Sequence, residues 1–203
     1  LIVTVGWLTM ILSGMIPYYL TNSIDSFSNI FFETMSGYTA TGSTILYDVE
    51  ALPKSIIFWR SMTHWLGGMG IIVLAIAILP LLGIGGMQLF SAEVPGSGIS
   101  GDKIHPRISA TAKRLWLIYF GLTTLETIAL SIAGMSFFDA LNHSMSNIAT
   151  GGFSTKNESL AYWNSIPSVQ YIVIFFMILA GTNYLLIYSA IIGNFKKLFT
   201  NTE

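Results

Sequence analysis

The chain has no cysteine and very few charged residues. Among its 203 residues, Asp, Glu, Lys and Arg together make up only 9%, and the formal net charge is −1. Without cysteine the chain has no disulfides and no thiolate metal ligands. Without an excess of basic residues it has no positive stripe for a phosphate backbone, which excludes nucleic acid as a partner.

Long apolar segments dominate instead. Hydrophobic residues make up 53% of the chain, and the mean hydropathy is +0.66. About 20 helical residues cross a hydrocarbon core of roughly 30 Å, and four segments are of that order or longer: residues 1–20, 53–82, 115–133 and 168–192. The sequence therefore predicts an all-α membrane protein in a lipid bilayer. Because the chain begins inside an apolar segment, without a basic leader, we expect it to be part of something longer.

Polar residues and glycines interrupt this apolar sequence, and the interruption is repeated. The tripeptide Ala40–Gly42 returns 109 residues later as Ala149–Gly151. Upstream the offset becomes 110, with two matched pairs: Ser26-Phe27 with Ser136-Phe137, and Met35-Ser36 with Met145-Ser146. A chance tripeptide would not have matched flanks, so we interpret the pattern as two copies of one unit.

Each copy is predicted to contain a short helix that enters the membrane without crossing it. Residues 26–38 and 136–148 are apolar but too short to span. Irregular backbone survives at membrane depth only inside protein or beside water. The Thr-Gly segments meet that condition if their carbonyl oxygens coordinate a dehydrated cation, as in potassium-channel filters. The predicted fold is two tandem helix–pore-loop–helix repeats, with four spanning helices and two re-entrant pore helices.

Two charged residues, Glu33 and Arg60, lie inside these apolar segments. Placing an arginine in a membrane helix costs roughly 2.5–3.5 kcal/mol, so Arg60 should face protein or water. We expect it to donate to carbonyls behind the filter or to pair with a carboxylate such as Glu33. Glu33 should accept hydrogen bonds from neighbouring backbone. The alternatives are direct contact of Glu33 with the ion and electrostatic tuning of the pore by Arg60.

Metal-dependent and enzymatic functions find little support. His64, His143 and Glu126 would be the candidates for a transition-metal site, but such histidines more often pack between helices, and we expect no transition metal here. His143 and Ser144 fall within a predicted pore helix and not on the turn that carries a catalytic nucleophile. The glycine-rich segment lacks the Gly-Lys-Ser/Thr of a phosphate-binding loop. We therefore expect no enzymatic activity.

Basic residues predict the orientation. Residues 83–110 form a polar linker between repeats at 1–82 and 111–197, and residues 198–203 form a tail. Six of the nine Lys and Arg residues lie in or beside the linker and tail: Lys103, Arg107, Lys113, Arg114, Lys196 and Lys197. By the positive-inside rule these segments and both chain ends are cytoplasmic. The filters then open outward beneath an acidic vestibule, which would concentrate cations.

The residues behind these predictions resemble the Trk/Ktr superfamily of potassium transporters. The resemblance lies in three segments, Phe31–Thr44, His64–Val73 and Gly151–Thr155. It is greatest to the TrkH-type membrane subunits of bacteria, where it extends through Gly86–Gln88 and Ala92–Pro95 and so covers essentially the whole chain. In that family four such units surround one pore, and each contributes one filter strand. The resemblance implies that this chain supplies the first two.

The resemblance also implies the ion, the filter residues and the partners. The transported ion would be K+, bound by filter carbonyls: Ala40, Thr41 and Gly42 in the first unit, and Ala149, Thr150 and Gly151 in the second. Gly42 and Gly151 would be the filter glycines, bordered by Thr39, Ser43 and Gly152. The family implies a multi-pass subunit of the bacterial inner membrane, a homodimer of full-length subunits, and a TrkA-like cytosolic nucleotide-binding regulatory subunit.

Three other functions stay open. A secondary transporter also places glycine-rich broken helices at the midplane, but many such carriers use inverted repeats, whereas these copies share one topology. A less selective Na+/K+ pathway is the second, although both predicted filter glycines are present. A structural membrane anchor is the third, and it would have no need of duplicated Thr-Gly loops.

Overall fold

The structure, a computed structural model, describes residues 2–70 and 105–182, together with Tyr184 and Ile187. The ends of the predicted second and fourth spans, most of the predicted linker, and the tail lie outside these residues. Within the described part, every regular element is a helix or a single helical turn.

The first repeat begins with two helices where one span was predicted. Helix α1 covers Ile2–Gly14 and α2 covers Ile16–Leu20. The helix breaks here because Pro17, in the first turn of α2, has no N–H to donate to the carbonyl four residues earlier. Helix α3 covers Phe27–Tyr38, in agreement with the predicted pore helix at residues 26–38.

The second long helix of this repeat also ends in an irregular turn. Helix α4 covers Lys54–Trp65 and continues as a π-helical turn at Leu66–Gly70. Gly68 departs from helical geometry there, with φ −63° and ψ −132°. Gly67 allows a close approach, since a Cβ at this position would overlap the Tyr38 carbonyl at the end of α3.

The second repeat has the same order of elements. Helix α5 covers His105–Ile132, α6 covers Phe137–Ile148, and α7 covers Pro167–Ala180, with a 3-10 turn at Ser159–Trp163 before α7. Helix α5 begins inside residues 83–110, which were predicted as linker. Pro106 suits the second position of a helix, where no N–H is needed. Helix α7 ends just before Gly181, inside the fourth span predicted at residues 168–192.

Among the described residues, one helical segment is long and apolar enough to cross a membrane. It is Lys113–Ile132 within α5. Helix α7 is apolar but shorter.

Apolar side chains cover the outside of the fold, and polar side chains fill its interior. The exposed apolar residues recur at helical spacing on three helices: Val5, Leu8 and Leu12 on α1, Leu117, Leu125, Ile128 and Ile132 on α5, and Tyr171, Ile174, Phe175 and Ile178 on α7. The buried polar residues include Glu33, Arg60, His64, Glu126, Asn142 and His143. In membrane helices ionisable residues face the bundle interior, and the observed distribution is of that kind.

Helix α6 is held by both repeats. It packs against α5 and α7 of its own repeat and against α4 of the first repeat. The amino end of α6 is capped by Ser136, whose hydroxyl accepts a hydrogen bond from the Asp139 amide at 3.1 Å. The carboxyl ends of α3 and α6 lead directly into the two Thr-Gly loops.

Candidate ion-filter site

Both loops that follow α3 and α6 contain left-handed backbone at alternate positions. In the first loop φ is 51° at Ala40 and 76° at Gly42. In the second it is 56° at Thr150 and 98° at Gly152. A β-branched residue such as Thr150 seldom adopts this conformation, and such strained backbone concentrates at ligand sites, where the surrounding structure enforces it.

The hydrogen bonds that close these loops are also the same. The Thr41 amide donates to the Ser36 carbonyl at 3.0 Å, and the Gly151 amide donates to the Ser146 carbonyl at 2.8 Å. Each bond joins a residue three positions beyond its helix to one inside the last turn. The two loops therefore correspond residue by residue at an offset of 110.

The backbone register of the two loops differs from the alignment predicted from the repeated tripeptide. Gly151 was predicted to correspond to Gly42 because the tripeptide Ala-Thr-Gly recurs at an offset of 109. The left-handed φ angles instead place Gly152 at the position of Gly42, and Gly151 at that of Thr41. The two identical Ala-Thr-Gly tripeptides therefore do not occupy equivalent backbone positions in the two loops. We use the names first filter segment for Ala40–Gly42 and second filter segment for Thr150–Gly152, the corresponding stretches of the two loops, whose part in ion binding stays a prediction.

Ala149, predicted as a filter residue, belongs to the end of helix α6. Its φ of −77° and ψ of −3° match those of Thr39, at −80° and 0°, and both residues cap their helices. Ala149 is also buried. It occupies the position that Thr39 has in the first loop, and Thr39 was predicted to border the filter.

The two filter segments touch at glycines. A Cβ added to Gly42 would overlap the Gly151 carbonyl oxygen. A Cβ added to Gly151 would overlap the imidazole ring of His64, whereas one at Gly152 would meet open space. Gly42 and Gly151 are thus required by close contact, and Gly152 by its backbone conformation.

A buried ion pair stands behind the first filter segment. Arg60 Nε donates to Glu33 Oε1 at 2.9 Å, and both side chains are almost fully buried, with exposed fractions of 1% and 0%. Glu33 also accepts from the Ile45 amide at 3.1 Å and from the Thr44 hydroxyl at 2.9 Å. The predicted pairing of Arg60 with Glu33, and the predicted bond from backbone to Glu33, are both confirmed.

Arg60 reaches the second repeat as well. Its Nη1 donates to the Ser154 carbonyl at 3.4 Å, and its guanidinium lies 4.1 Å from the centre of the Phe153 ring. Its Nη2 donates to the Thr44 hydroxyl at 3.2 Å, so one side chain contacts the segments that follow both filter segments. The electrostatic support predicted for Glu33 and Arg60 stays a prediction.

The second repeat has a histidine where the first has Glu33. Glu33 bonds the Thr44 hydroxyl, and His143 Nε2 bonds the Ser154 hydroxyl at 2.9 Å. Both hydroxyls accept from the amide two residues later, at 3.1 Å and 3.0 Å. A hydroxyl held by a pore-helix side chain therefore fixes each filter exit, and the carboxylate and the imidazole do the same task.

The residues considered for a transition-metal site have separate partners. His64 Nδ1 lies 2.9 Å from Ser146 Oγ, and His143 Nδ1 bonds the Asp139 carbonyl. Glu126 Oε1 accepts a hydrogen bond from the side-chain Nδ2 of Asn147 at 2.7 Å. In residues 2–70 and 105–182, no group of three metal-ligating side chains is close enough to hold a metal ion.

The loops beyond the filters are fastened to each other. Asn157 Oδ1 accepts from the Val49 amide at 2.7 Å, its Nδ2 donates to Asp48 at 2.9 Å, and Lys156 Nζ pairs with Glu50 at 3.0 Å. The hydrogen bond from the Asn157 side chain lowers the pKa of Asp48. The hydrogen bond to Glu50 raises the pKa of Lys156. We call these residues the outer latch. Two carboxylates of the predicted acidic vestibule are engaged in it.

The sequence did not indicate how closely three residues contact the second loop or belong to it: His64, Ser146 and Gly152. The offset of 110 in the flanking residues pointed to Gly152 as the counterpart of Gly42, but the identical tripeptides favoured Gly151. The contact between His64 and Ser146 joins residues 82 apart in different repeats. A signal for that contact is absent from the spacing.

Comparison with known proteins identifies the chain's relatives. The family model "TrkH: Cation transport protein" matches residues 1–202. The Trk system potassium uptake protein TrkH of Salmonella typhimurium is 46% identical over 200 residues, or 98% of this chain and 41% of that protein. TrkG of Escherichia coli is 37% identical over 192 residues, or 94% of this chain and 39% of that protein.

A solved structure agrees with these relatives. The crystal structure of the potassium transporter TrkH from Vibrio parahaemolyticus matches with a TM-score of 0.73 and 40% identity, over 93% of this chain and 36% of that one. The chain thus spans about two fifths of the length of the curated relatives it matches. It is an all-α membrane protein with two pore-loop repeats, and it belongs to the TrkH family of cation transport proteins.

Proposed function

We propose that this chain forms part of a potassium uptake pathway, in which dehydrated K+ contacts backbone carbonyls of Ala40–Gly42 and Thr150–Gly152. One observation carries the proposal: two loops share left-handed φ angles at alternate residues, in a family whose members are named potassium uptake proteins. Rings of backbone carbonyls can replace the hydration shell of an ion. Two segments supply part of such a ring, and the family's pattern of four units implies that further segments complete it.

The geometry around the segments suits a cation. Helices α3 and α6 both end at the filter, and a helix carboxyl end carries about half a negative charge. The positive charge of Arg60 is buried behind the segment and paired with Glu33 at 2.9 Å, so its field at the pathway is largely offset. The net field of these elements favours a cation over an anion.

The finer assignments rest on the family's pattern and on charge. We propose a bacterial inner membrane location, with the linker, the tail and both chain ends in the cytoplasm. The repeats would occupy residues 1–82 and 111–197, joined by a linker at 83–110. A homodimer of full-length subunits and a TrkA-like cytosolic nucleotide-binding subunit are the proposed protein partners.

The experiment that tests the filter replaces its two left-handed glycines. Gly42→Ser and Gly152→Ser are made in the native full-length subunit, and K+ and Na+ uptake are measured in a potassium-auxotrophic strain. A side chain at either φ strains the backbone by roughly 1–3 kcal/mol, so we expect the K+/Na+ uptake ratio to fall about tenfold. Gly42→Ser should be the more severe change, because its Cβ also overlaps the Gly151 carbonyl.

Gly134→Ser is the matched control. Gly134 also has a positive φ, of 111°, but it lies in the turn between α5 and α6, away from the filter. It imposes comparable backbone strain, so its uptake ratio should stay at the wild-type value even if expression falls. Wild-type ratios in both filter variants would remove Ala40–Gly42 and Thr150–Gly152 from the conduction path.

A further inference from the structure

The ring of His64 contacts the second filter segment although the residue belongs to the first repeat. His64 lies near the end of α4, is fully buried, and packs directly against Gly151. Its ring stacks on Phe153, with centroids 3.9 Å apart and planes inclined by 15°. Gly151 and Phe153 flank Gly152, so the imidazole contacts the residues on both sides of the left-handed glycine.

A hydrogen-bonded chain links the same ring to the Gly152 backbone. The Gly152 amide donates to Ser146 Oγ at 3.0 Å, and Ser146 Oγ lies 2.9 Å from His64 Nδ1. The serine oxygen accepts from the Gly152 amide, and it can either donate its own hydrogen to Nδ1 or accept from a protonated Nδ1, according to the imidazole tautomer. In both cases the bond to the imidazole helps to hold the serine oxygen where it receives the Gly152 N–H.

Arg60 strengthens this arrangement from the same face of α4. Residues four apart in a helix are neighbours on its surface, and Arg60 and His64 both lie close to the Phe153 ring, at 4.1 Å and 3.9 Å from its centre. Two groups so near one ring centre must occupy its opposite faces. Phe153 is therefore held between them, and the exit of the second filter segment is held with it.

We propose that His64 is a positioning residue for the second filter segment, acting through Ser146 on the orientation of the Gly152 peptide and hence on ion selectivity. Its part in selectivity rests on the proposed function; its part in holding the peptide does not. The first repeat offers a contrast. Ser36 has the position of Ser146, and its buried hydroxyl has no hydrogen-bond partner within the described residues. The support is thus a contact between repeats and not a property of the repeat itself.

The first measurement is hydrogen exchange at the Gly152 amide in the purified full-length subunit, resolved by mass spectrometry with fragmentation. Ser146→Ala removes the acceptor, and one hydrogen bond of ordinary strength corresponds to about tenfold faster exchange. His64→Phe keeps the ring but loses Nδ1, and we expect about threefold faster exchange. His64→Asn places an amide near the Nδ1 position and should restore most of the protection.

Ser144→Ala is the matched control. Ser144 lies on the same helix two residues earlier, is equally buried, and donates to the Ala140 carbonyl of its own helix. Its removal should leave exchange at Gly152 unchanged. The double variant His64→Phe/Ser146→Ala should exchange at the rate of Ser146→Ala alone, because the histidine acts through the serine.

The second measurement is the K+/Na+ uptake ratio of the same variants. We expect it to fall about three- to tenfold in His64→Phe and Ser146→Ala, and to recover in His64→Asn. Wild-type exchange in His64→Phe, or additive effects in the double variant, would overturn the positioning role. Faster exchange with a wild-type uptake ratio would overturn the link to selectivity. A wild-type subunit that does not prefer K+ would instead refute the proposed function, and the exchange data would still decide whether His64 positions Gly152.

Discussion

Replacing Glu33 by glutamine should destabilise the protein more than removing both members of the ion pair. Glutamine keeps the size of the side chain but leaves Arg60 charged and 1% exposed, with neutral partners only: the Ser154 carbonyl at 3.4 Å, the Thr44 hydroxyl at 3.2 Å and the Phe153 ring. Removing one member of a buried ion pair costs about 3–5 kcal/mol, because the remaining charge stays desolvated. For a folding unit of about 150–250 residues, that corresponds to a fall in Tm of roughly 6–20 °C.

The double variant Glu33→Gln/Arg60→Met should recover much of this loss. Replacing both charges by neutral groups of similar volume leaves no charge buried, and such exchanges are often neutral or stabilising. The double variant Glu33→Gln/Arg60→Lys should recover little of this loss. An ammonium keeps the buried charge and lacks the planar fork with which Arg60 reaches residue 33, Thr44 and Ser154 together.

Thermal unfolding of the native full-length subunit in detergent, followed by tryptophan fluorescence, measures these differences. Ser61→Ala is the control on the same helix, because its hydroxyl reaches only the Ile57 carbonyl, at 3.4 Å. The reasoning is refuted if Glu33→Gln unfolds within about 1 °C of wild type, or if the double variant loses as much as both single variants added together.

Two further predictions concern the outside of the molecule. A cysteine at Gly101 should react with an impermeant thiol reagent only from the cytoplasm and one at Glu158 only from outside, since basic residues flank the linker; reversed labelling would invert the topology. The contacts of the outer latch should persist between the pH at which Asp48 becomes protonated and the pH at which Lys156 loses its proton. The pKa of Asp48 is lowered, so its contribution is present above the ordinary value of 3.8 and is lost as pH falls through the lower folded value. The pKa of Lys156 is raised, so its contribution is present below 10.5 and is lost as pH rises through the higher folded value. Spin labels at cysteines replacing Tyr47 and Glu158 should give a narrow distance distribution between these limits and a broader one at either extreme. Asn157→Ala should broaden it at every pH, and a distribution indifferent to both changes would show that the latch does not hold the loops.

The pore helices could be predicted closely because their signals are local. Serine precedes phenylalanine at both helix starts, each apolar segment is too short to span a membrane, and the tripeptide Ala-Thr-Gly follows soon after each helix. The observed helices, Phe27–Tyr38 and Phe137–Ile148, begin one residue later than predicted and end where predicted. The ion pair was predictable for a different reason, since an arginine inside an apolar segment must find a partner or water.

The residue-by-residue correspondence between the two loops could not be predicted from their identical tripeptides. Identity placed Gly151 opposite Gly42, but the residue that matches Gly42 in backbone conformation is Gly152, at the same distance from the end of its helix. Counting from the caps, Thr39 and Ala149, gives Gly42 and Gly152 as the third residue in each loop. The first span shows a similar limit. One span was predicted at residues 1–20, whereas the helix divides just before Pro17.

The contacts between repeats were out of reach for a deeper reason. Duplication copies what each unit needs for itself, such as a cap, a left-handed glycine and a hydroxyl at the filter exit. It does not copy what one unit provides to its neighbour. Helix α4 carries Arg60 and His64 on the face that supports the second filter segment, whereas α7, the corresponding helix of the second repeat, has neither arginine nor histidine among its residues. Helix α7 instead presents Ile174 and Phe175 outward, with exposed fractions of 47% and 58%. At this pair of helices the repeats differ where they meet other surfaces, so a search for shared sequence finds the two Thr-Gly loops and misses the residues that support the second one.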